Sequence, residues 1–215
     1  MVHHMYFLLL ITLAGLHGTA HAVDYDVTNN AGTSAGGVRF DNDIGAEYSR
    51  QTLISATDFI RRLFQQNTAA DGKSVQKISL VIENMSGVAY ASNDVIHVSA
   101  DYIITGVLYH ETTHVWQWNG NGQAPVGLIE GIADYVRLKA GYDPSHWVQA
   151  GQGDRWDQGY DVTARFLDYL NGLRDGFVAE LNSKLRDGYS ATYFVDLLGK
   201  NVDQLWTEYK AKYAN

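Results

Sequence analysis

From Ile103 to the C-terminus the apolar residues recur at helical spacing and do not alternate, so this half of the chain must build its share of a core from helices. The spacing predicts a helix over residues 103–118 that stops at Asn119-Gly120, and a second over 126–140 that stops at Gly141. A third covers 162–173, with Val162, Phe166, Leu170 and Leu173 on one face, and Phe177, Leu181 and Leu185 mark a fourth. The last begins at Asn201, with Gln204 placed to complete a capping box, and buries Val202, Leu205, Trp206 and Tyr209.

The first half reads differently. Residues 24–28 form a strand and Asn29 to Gly37 a Gly-rich loop, followed by an amphipathic helix over 44–66 carrying Leu53, Ala56, Ile60 and Phe64. In residues 77–83, Ile78, Leu80 and Ile82 alternate with other neighbours as in a strand. Residues 88–91 and 95–98 are two more short strands, split by Ser92-Asn93-Asp94, a turn composition. The pattern is α+β: a small N-terminal mixed sheet, then a mainly helical C-terminal half. Neither an internal repeat nor a linker interrupts it, so residues 23–215 read as one domain and as a monomer.

Residues 1–22 stand apart from that core. An apolar run from Met5 to Leu16 is too short to span a bilayer, and Ala20-His21-Ala22 fits signal-peptidase cleavage, making Val23 the first mature residue. The expected product is soluble and secreted. The chain has no cysteine, so in an oxidising exterior it must be held by packing and, where present, by a metal. With 46% apolar residues and a length at which roughly 70% of the unfolded surface is buried, packing is sufficient. Asn84-Met85-Ser86 is a glycosylation sequon. The formal net charge of −8, without a basic cluster, excludes nucleic acid and anionic membranes as natural partners.

Past residue 22 the histidines are His97, His110, His114 and His146, and two of them sit in His110-Glu111-Thr112-Thr113-His114. Four residues apart on a helix, both imidazoles face one metal ion, and Glu111 lies beside it as a base for a bound water. A two-histidine set without thiolate is typical of an open, catalytic Zn2+ site, which needs a third protein ligand and lowers the pKa of its water to about 7. Glu130-Gly-Ile-Ala-Asp134 on the next helix supplies it: Glu130 as ligand, with Asp134 accepting a hydrogen bond from the far nitrogen of a ligating histidine. The reverse assignment, Asp134 on the metal, stays open. Gln117 shares the face of His110 and is either a supporting group or polar filler. Trp116 and Trp118 read as core or cleft wall, His97 as a strand residue, His146 as a loop residue. For the donor that stabilises the tetrahedral oxyanion, Tyr160 in its Gly-containing turn is the first choice, with Tyr135, Tyr169 and His146 as rivals.

The runs from His110 to Asn119, Gly127 to Arg137 and Gly159 to Tyr169, with Gly36-Gly-Val-Arg-Phe40 and Ile44-Gly-Ala46, resemble the basic secretory protein family of plants and bacteria over essentially the whole mature chain. The resemblance implies a zincin-like fold and a secreted Zn2+ metallopeptidase, linked in plants to defence, at home in the apoplast or cell wall. It implies His110 and His114 as ligands, Glu111 as general base, and a gluzincin-like role for Glu130 with Asp134 behind it. The acidic balance departs from the family's name and puts in doubt partners chosen by positive charge. The expected activity is endopeptidase cleavage of a peptide or protein substrate, laid along a strand edge at Gly87 to Ala91. Two other readings remain: a defence-related binding protein that keeps the metal fold without turnover, and a carbohydrate-binding module using Trp147 and Trp156.

Overall fold

The computed structural model describes residues 23–214; the export segment and its cleavage lie outside the described residues. Strand β1 (Asp24–Asn29) runs parallel to β2 (Lys77–Glu83), and β2 runs parallel to β4 (Val95–Ser99). Strand β3 (Ala89–Ser92) pairs antiparallel with β4 and closes the order β1-β2-β4-β3, leaving β3 at an edge. The β1–β2 and β3–β4 pairings follow from what joins the strands. Between β1 and β2 lies the crossover helix α2 (Gly45–Leu63), whereas β3 and β4 are linked by a two-residue turn, which only antiparallel strands can use. Asn93 and Asp94 in that turn have φ of 51° and 61°, the left-handed pair that a tight hairpin demands and that Asn and Asp tolerate.

Alternation decides which face of the sheet is inside. Ile78, Leu80 and Ile82 of β2 and Ile96 and Val98 of β4 are fully buried, against Leu53, Ala56 and Ile60 of α2 in one continuous core. His97 therefore points to the other face, where it meets Glu83 at 3.1 Å and stacks on Tyr90.

The segment read as a loop from Asn29 to Gly37 is in part helical. Ser34 caps a short helix α1 (Ala35–Arg39), its hydroxyl accepting from Gly37 N–H at 3.0 Å, and a π-helical turn over Phe40–Ile44 leads into α2. Gly36 and Gly37 are there for close approach, not flexibility. A Cβ on Gly36 would lie 2.7 Å from that of Ala100, and one on Gly37 would lie 2.5 Å from the Gly32 carbonyl oxygen.

After β4 come α3 (Thr105–Trp116), α4 (Val126–Lys139), α5 (Tyr160–Leu173), α6 (Phe177–Lys184), α7 (Thr192–Leu198) and α8 (Val202–Lys212). Helix α7 has no counterpart in the sequence reading, because only Phe194 and Leu197 are buried in it and two residues define no period. The capping box at Asn201 and Gln204 forms as expected, and Val202, Leu205 and Tyr209 are buried while Trp206 is partly buried. Helix α4 packs on both α3 and α5, and Gly131 lets α5 come close: a Cβ there would overlap the Thr163 methyl at 2.2 Å. Among the described residues no helix is long and apolar enough to cross a membrane.

Leu80 sits at the centre of this packing with no exposed surface. Leu80→Ala is expected to lower unfolding free energy by about 2–5 kcal/mol, measured by urea denaturation, whereas alanine at the exposed β3 position Tyr90 stays within roughly 1 kcal/mol.

Candidate active site

Helix α3 is buried along most of its length, so its His-Glu-Thr-Thr-His run is presented from within the core instead of on a mobile loop. Four residues apart, the imidazoles of His110 and His114 stand edge to face with ring centroids 4.8 Å apart and Nε2 atoms 3.1 Å apart. Across from them, α4 carries Glu130 and Asp134 on one face. Glu130 Oε2 lies 3.1 Å from His110 Nε2 and 3.6 Å from His114 Nε2. The ligand atoms of His110, His114 and Glu130 all lie within 4.8 Å of one another, so one ion could touch all three.

Asp134 does not join that group. Its Oδ1 accepts from His110 Nδ1 at 2.7 Å, and the carboxylate is buried. This bond holds the proton on Nδ1 and leaves Nε2 facing Glu130 and His114. The Gln117 side-chain amide reaches His114 Nδ1 at 3.2 Å and donates to the Ile129 carbonyl at 3.2 Å, tying the second imidazole to α4. Of the two readings of Gln117, the supporting one describes its place in the structure.

Glu111 is 5% exposed, and its Oε2 is buried without a hydrogen-bond partner. Burial pushes its carboxyl above the usual range, while the two histidines pull the other way. For His110, burial alone would lower the pKa, but the hydrogen bonds to Asp134 and Glu130 outweigh it and raise the value to about 9. For Glu130, burial would raise the pKa, and the bonds to the two histidines bring it down to about 2. Glu111, Glu130 and Asp134 thus surround two imidazoles with an excess of negative charge, which a cation would neutralise. The donor set of two imidazole nitrogens and one carboxylate oxygen, with an unpartnered carboxylate oxygen beside it, fits Zn2+.

Tyr160 opens α5 with φ of 45°, a left-handed conformation that a bulky side chain adopts only under constraint. The constraint is visible. Gly127 on α4 lets the 157–159 segment cross it, since a Cβ there would sit 1.9 Å from the Asp157 carbonyl oxygen. Thr163 Oγ1 accepts from Gly159 N–H and donates to the Trp156 carbonyl, each at 2.8 Å. So held, the Tyr160 ring is 56% exposed and lies 6.1 Å from the His110 ring. Burial and then the nearby Glu130, Asp134 and Glu111 charges raise its pKa, keeping the phenol protonated. The rival Tyr135 and Tyr169 are buried elsewhere, with Tyr169 among Phe166, Tyr209 and Tyr213, and neither lines the cleft. His146 does line it.

The cleft over these residues has a volume of about 850 Å³ and is walled on one side by Val88 to Ala91, which include most of the edge strand β3. Trp116 is core, donating to Thr57 at 3.2 Å. Trp147 and Trp156 do not form a surface platform: Trp147 is buried beneath Arg137, and Trp156 packs edge-on against Phe194. That removes the basis of the carbohydrate-binding reading. Lys73 and Arg137 also line the cleft; Lys73 lies in no recognisable motif, and Arg137 closes the Gly127 to Arg137 run without having been read as a site residue. For Arg137 the available signal was its spacing of seven and three from Glu130 and Asp134 on one helix.

A family model described as peptidase of plants and bacteria matches residues 20–209. The chain belongs to that family. Within the same relationship, a basic secretory protease of Boswellia serrata is 55% identical over 58 residues, which are 27% of this chain and 66% of that protein. The fold is similar to that of an M1 zinc metallopeptidase from Deinococcus radiodurans, with a TM-score of 0.55 at 15% identity over 88% of this chain and 48% of that one. A two-domain M1 zinc metallopeptidase solved as a mutant bound to L-arginine gives 0.57 at 14% identity, over 89% and 49%. The chain therefore spans about half the length of these solved structures, and the likeness is one of fold.

In protein stripped of divalent cations by chelator, the His110 pKa makes stability depend on pH. A value raised from 6.5 to about 9 means the stabilisation is fully present below pH 6.5 and is lost as pH rises through 9. The thermal midpoint of stripped protein is expected to fall between pH 6.5 and pH 9 by differential scanning fluorimetry, and that fall is expected to disappear in Asp134→Asn/Glu130→Gln.

Proposed function

We propose that this protein is a secreted Zn2+ metallopeptidase in which residues 23–215 form one peptidase domain that cuts within peptide chains. The observation that carries the reading is the convergence of His110, His114 and Glu130 within 4.8 Å, beside a buried Glu111 whose Oε2 has no other partner. His110 Nε2, His114 Nε2 and Glu130 Oε2 would hold the ion, which when bound supplies a Lewis acid for the scissile carbonyl and an acidified water. Glu111, its pKa raised by burial, takes the proton of the attacking water and returns it to the leaving amine. Asp134 holds His110 in the tautomer that offers Nε2, and Gln117 orients His114. Tyr160 donates its hydroxyl to the developing oxyanion. The backbone strain at that residue supports the assignment, because a tyrosine is otherwise a poor choice at positive φ. The free edge of β3 along the cleft supports an extended substrate added as a further strand, and with it cleavage inside a chain. Secretion is supported by the name of the Boswellia relative.

The deciding experiment is digestion of a mixed peptide library by purified Val23–Asn215 beside Glu111→Gln. Wild-type cuts are expected, with rates falling roughly 10²–10⁴-fold in the variant. Silence from both proteins, or equal cutting by both, would replace the enzyme by the metal-holding binding protein. Zinc is tested apart from turnover: re-adding Zn2+ at about 100 Kd to stripped protein is expected to add about 2.7 kcal/mol of stability, and Glu130→Ala should abolish most of that gain. Tyr160→Phe is expected to lower kcat about 10²–10³-fold with little change in KM; an unchanged kcat transfers the oxyanion role to another group such as His146.

A further inference from the structure

Arg137 lies on the same face of α4 as Glu130 and Asp134, one to two turns further on, and lines the same cleft. At 1.5 Å per residue it sits about 10 Å along the helix from Glu130, the span of roughly three residues of extended peptide. Its guanidinium is set in place. Nε donates to the Tyr142 carbonyl at 3.0 Å, and the group stacks on buried Trp147 with 5.3 Å to the ring centroid. Gly106 of α3 leaves the room it occupies, since a Cβ there would stand 2.7 Å from Nε and 3.1 Å from Nη2.

What this arrangement lacks is an anion. The two carboxylates whose charge reaches Arg137 are committed elsewhere: Asp134 to His110 at 2.7 Å, and Asp143 to Arg165 at 3.1 Å. Asp161, also in the cleft wall, accepts from the backbone N–H groups of Val148 and Val162. Among the described residues Arg137 makes no ion pair, although burial already disfavours its charged form. A half-buried guanidinium held rigidly in a cleft, with no partner among the described residues for its terminal nitrogens, is suited to bidentate recognition of a carboxylate.

We propose that Arg137 is the carboxylate-recognition point of the cleft, selecting peptides that carry an Asp or Glu side chain, or a free C-terminal carboxylate, about three residues from the bond held over Glu130. The proposal rests on the peptidase reading only in taking the ligand to be a peptide. Its test therefore reads binding and not cleavage.

Labelled octapeptides would be titrated into Zn2+-loaded Glu111→Gln protein and followed by fluorescence anisotropy. The set exchanges Asp for Asn and Glu for Gln at single positions, and a free for an amidated C-terminus. One acidic position, or the free C-terminus, is expected to tighten Kd roughly 10-fold, and which of them does so identifies the source of the carboxylate. Adding Arg137→Gln is expected to bring the acid-to-amide ratio within about twofold, and Arg137→Glu to favour peptides with Lys at the same position. Gly106→Ala leaves Arg137 in the chain but displaces its guanidinium, and is expected to reduce the ratio as well. Equal binding of acid and amide peptides, no binding of either, or a preference that survives Arg137→Gln would overturn the assignment. A protein that binds acidic peptides but cuts nothing would remove the peptidase reading and leave this one standing.

Discussion

The hydrogen bond between His110 and Asp134 is the contact on which the site depends. It joins α3, which is packed against the sheet and α2, to α4, which is packed against α5. A buried charge-assisted pair is a poor source of net stability, because desolvation consumes most of what Coulomb attraction returns. Its value here lies in register. With Nδ1 committed at 2.7 Å, the His110 ring can neither flip nor slide, and Glu130, one turn before Asp134, is carried to 3.1 Å from the opposite nitrogen. Gln117 does the same for His114 with weaker means, bonding to the backbone of the neighbouring helix instead of to a carboxylate.

The charges around that contact make one electrostatic statement. Glu111, Glu130 and Asp134 crowd two imidazoles, and the structure answers by holding His110 protonated well above its ordinary range while denying Glu111 easy ionisation. Both shifts express a demand for positive charge at one point. An ion bound there would relieve it, and proton and metal would compete for the same nitrogens. The overall charge of −8 plays no part in this, because the effect is local and partly desolvated.

Local pattern made much of this legible, and contact across space did not. The four-residue spacings within α3 and within α4 are helical facts, so the sequence could place His110 with His114 and Glu130 with Asp134; that the two pairs face each other is a matter of helix packing. The strands of residues 77–83 and 95–98 were readable because their buried residues alternate. Gly36 and Gly37 were misread as loop because a glycine chosen for close packing looks the same as one chosen for a turn. Helix α7 was invisible for want of a period. Tyr135 and Tyr169 were credible rivals to Tyr160 only while their burial was unknown. Arg137 closes a run recognisable in the sequence, but its situation is made by Gly106 of α3 and by Tyr142 and Trp147 of the connection between α4 and α5, which no local pattern joins to it.

If Tyr160 has the proposed role, the left-handed backbone there sets stability against activity. A bulky side chain there gives up roughly 1–2 kcal/mol that glycine would not, and asparagine would give up less. Selection for heat resistance alone would therefore drift toward Gly or Asn at this position, hardening the protein while removing the phenol from above His110. A tyrosine at such a position is accounted for by what its ring would do over His110.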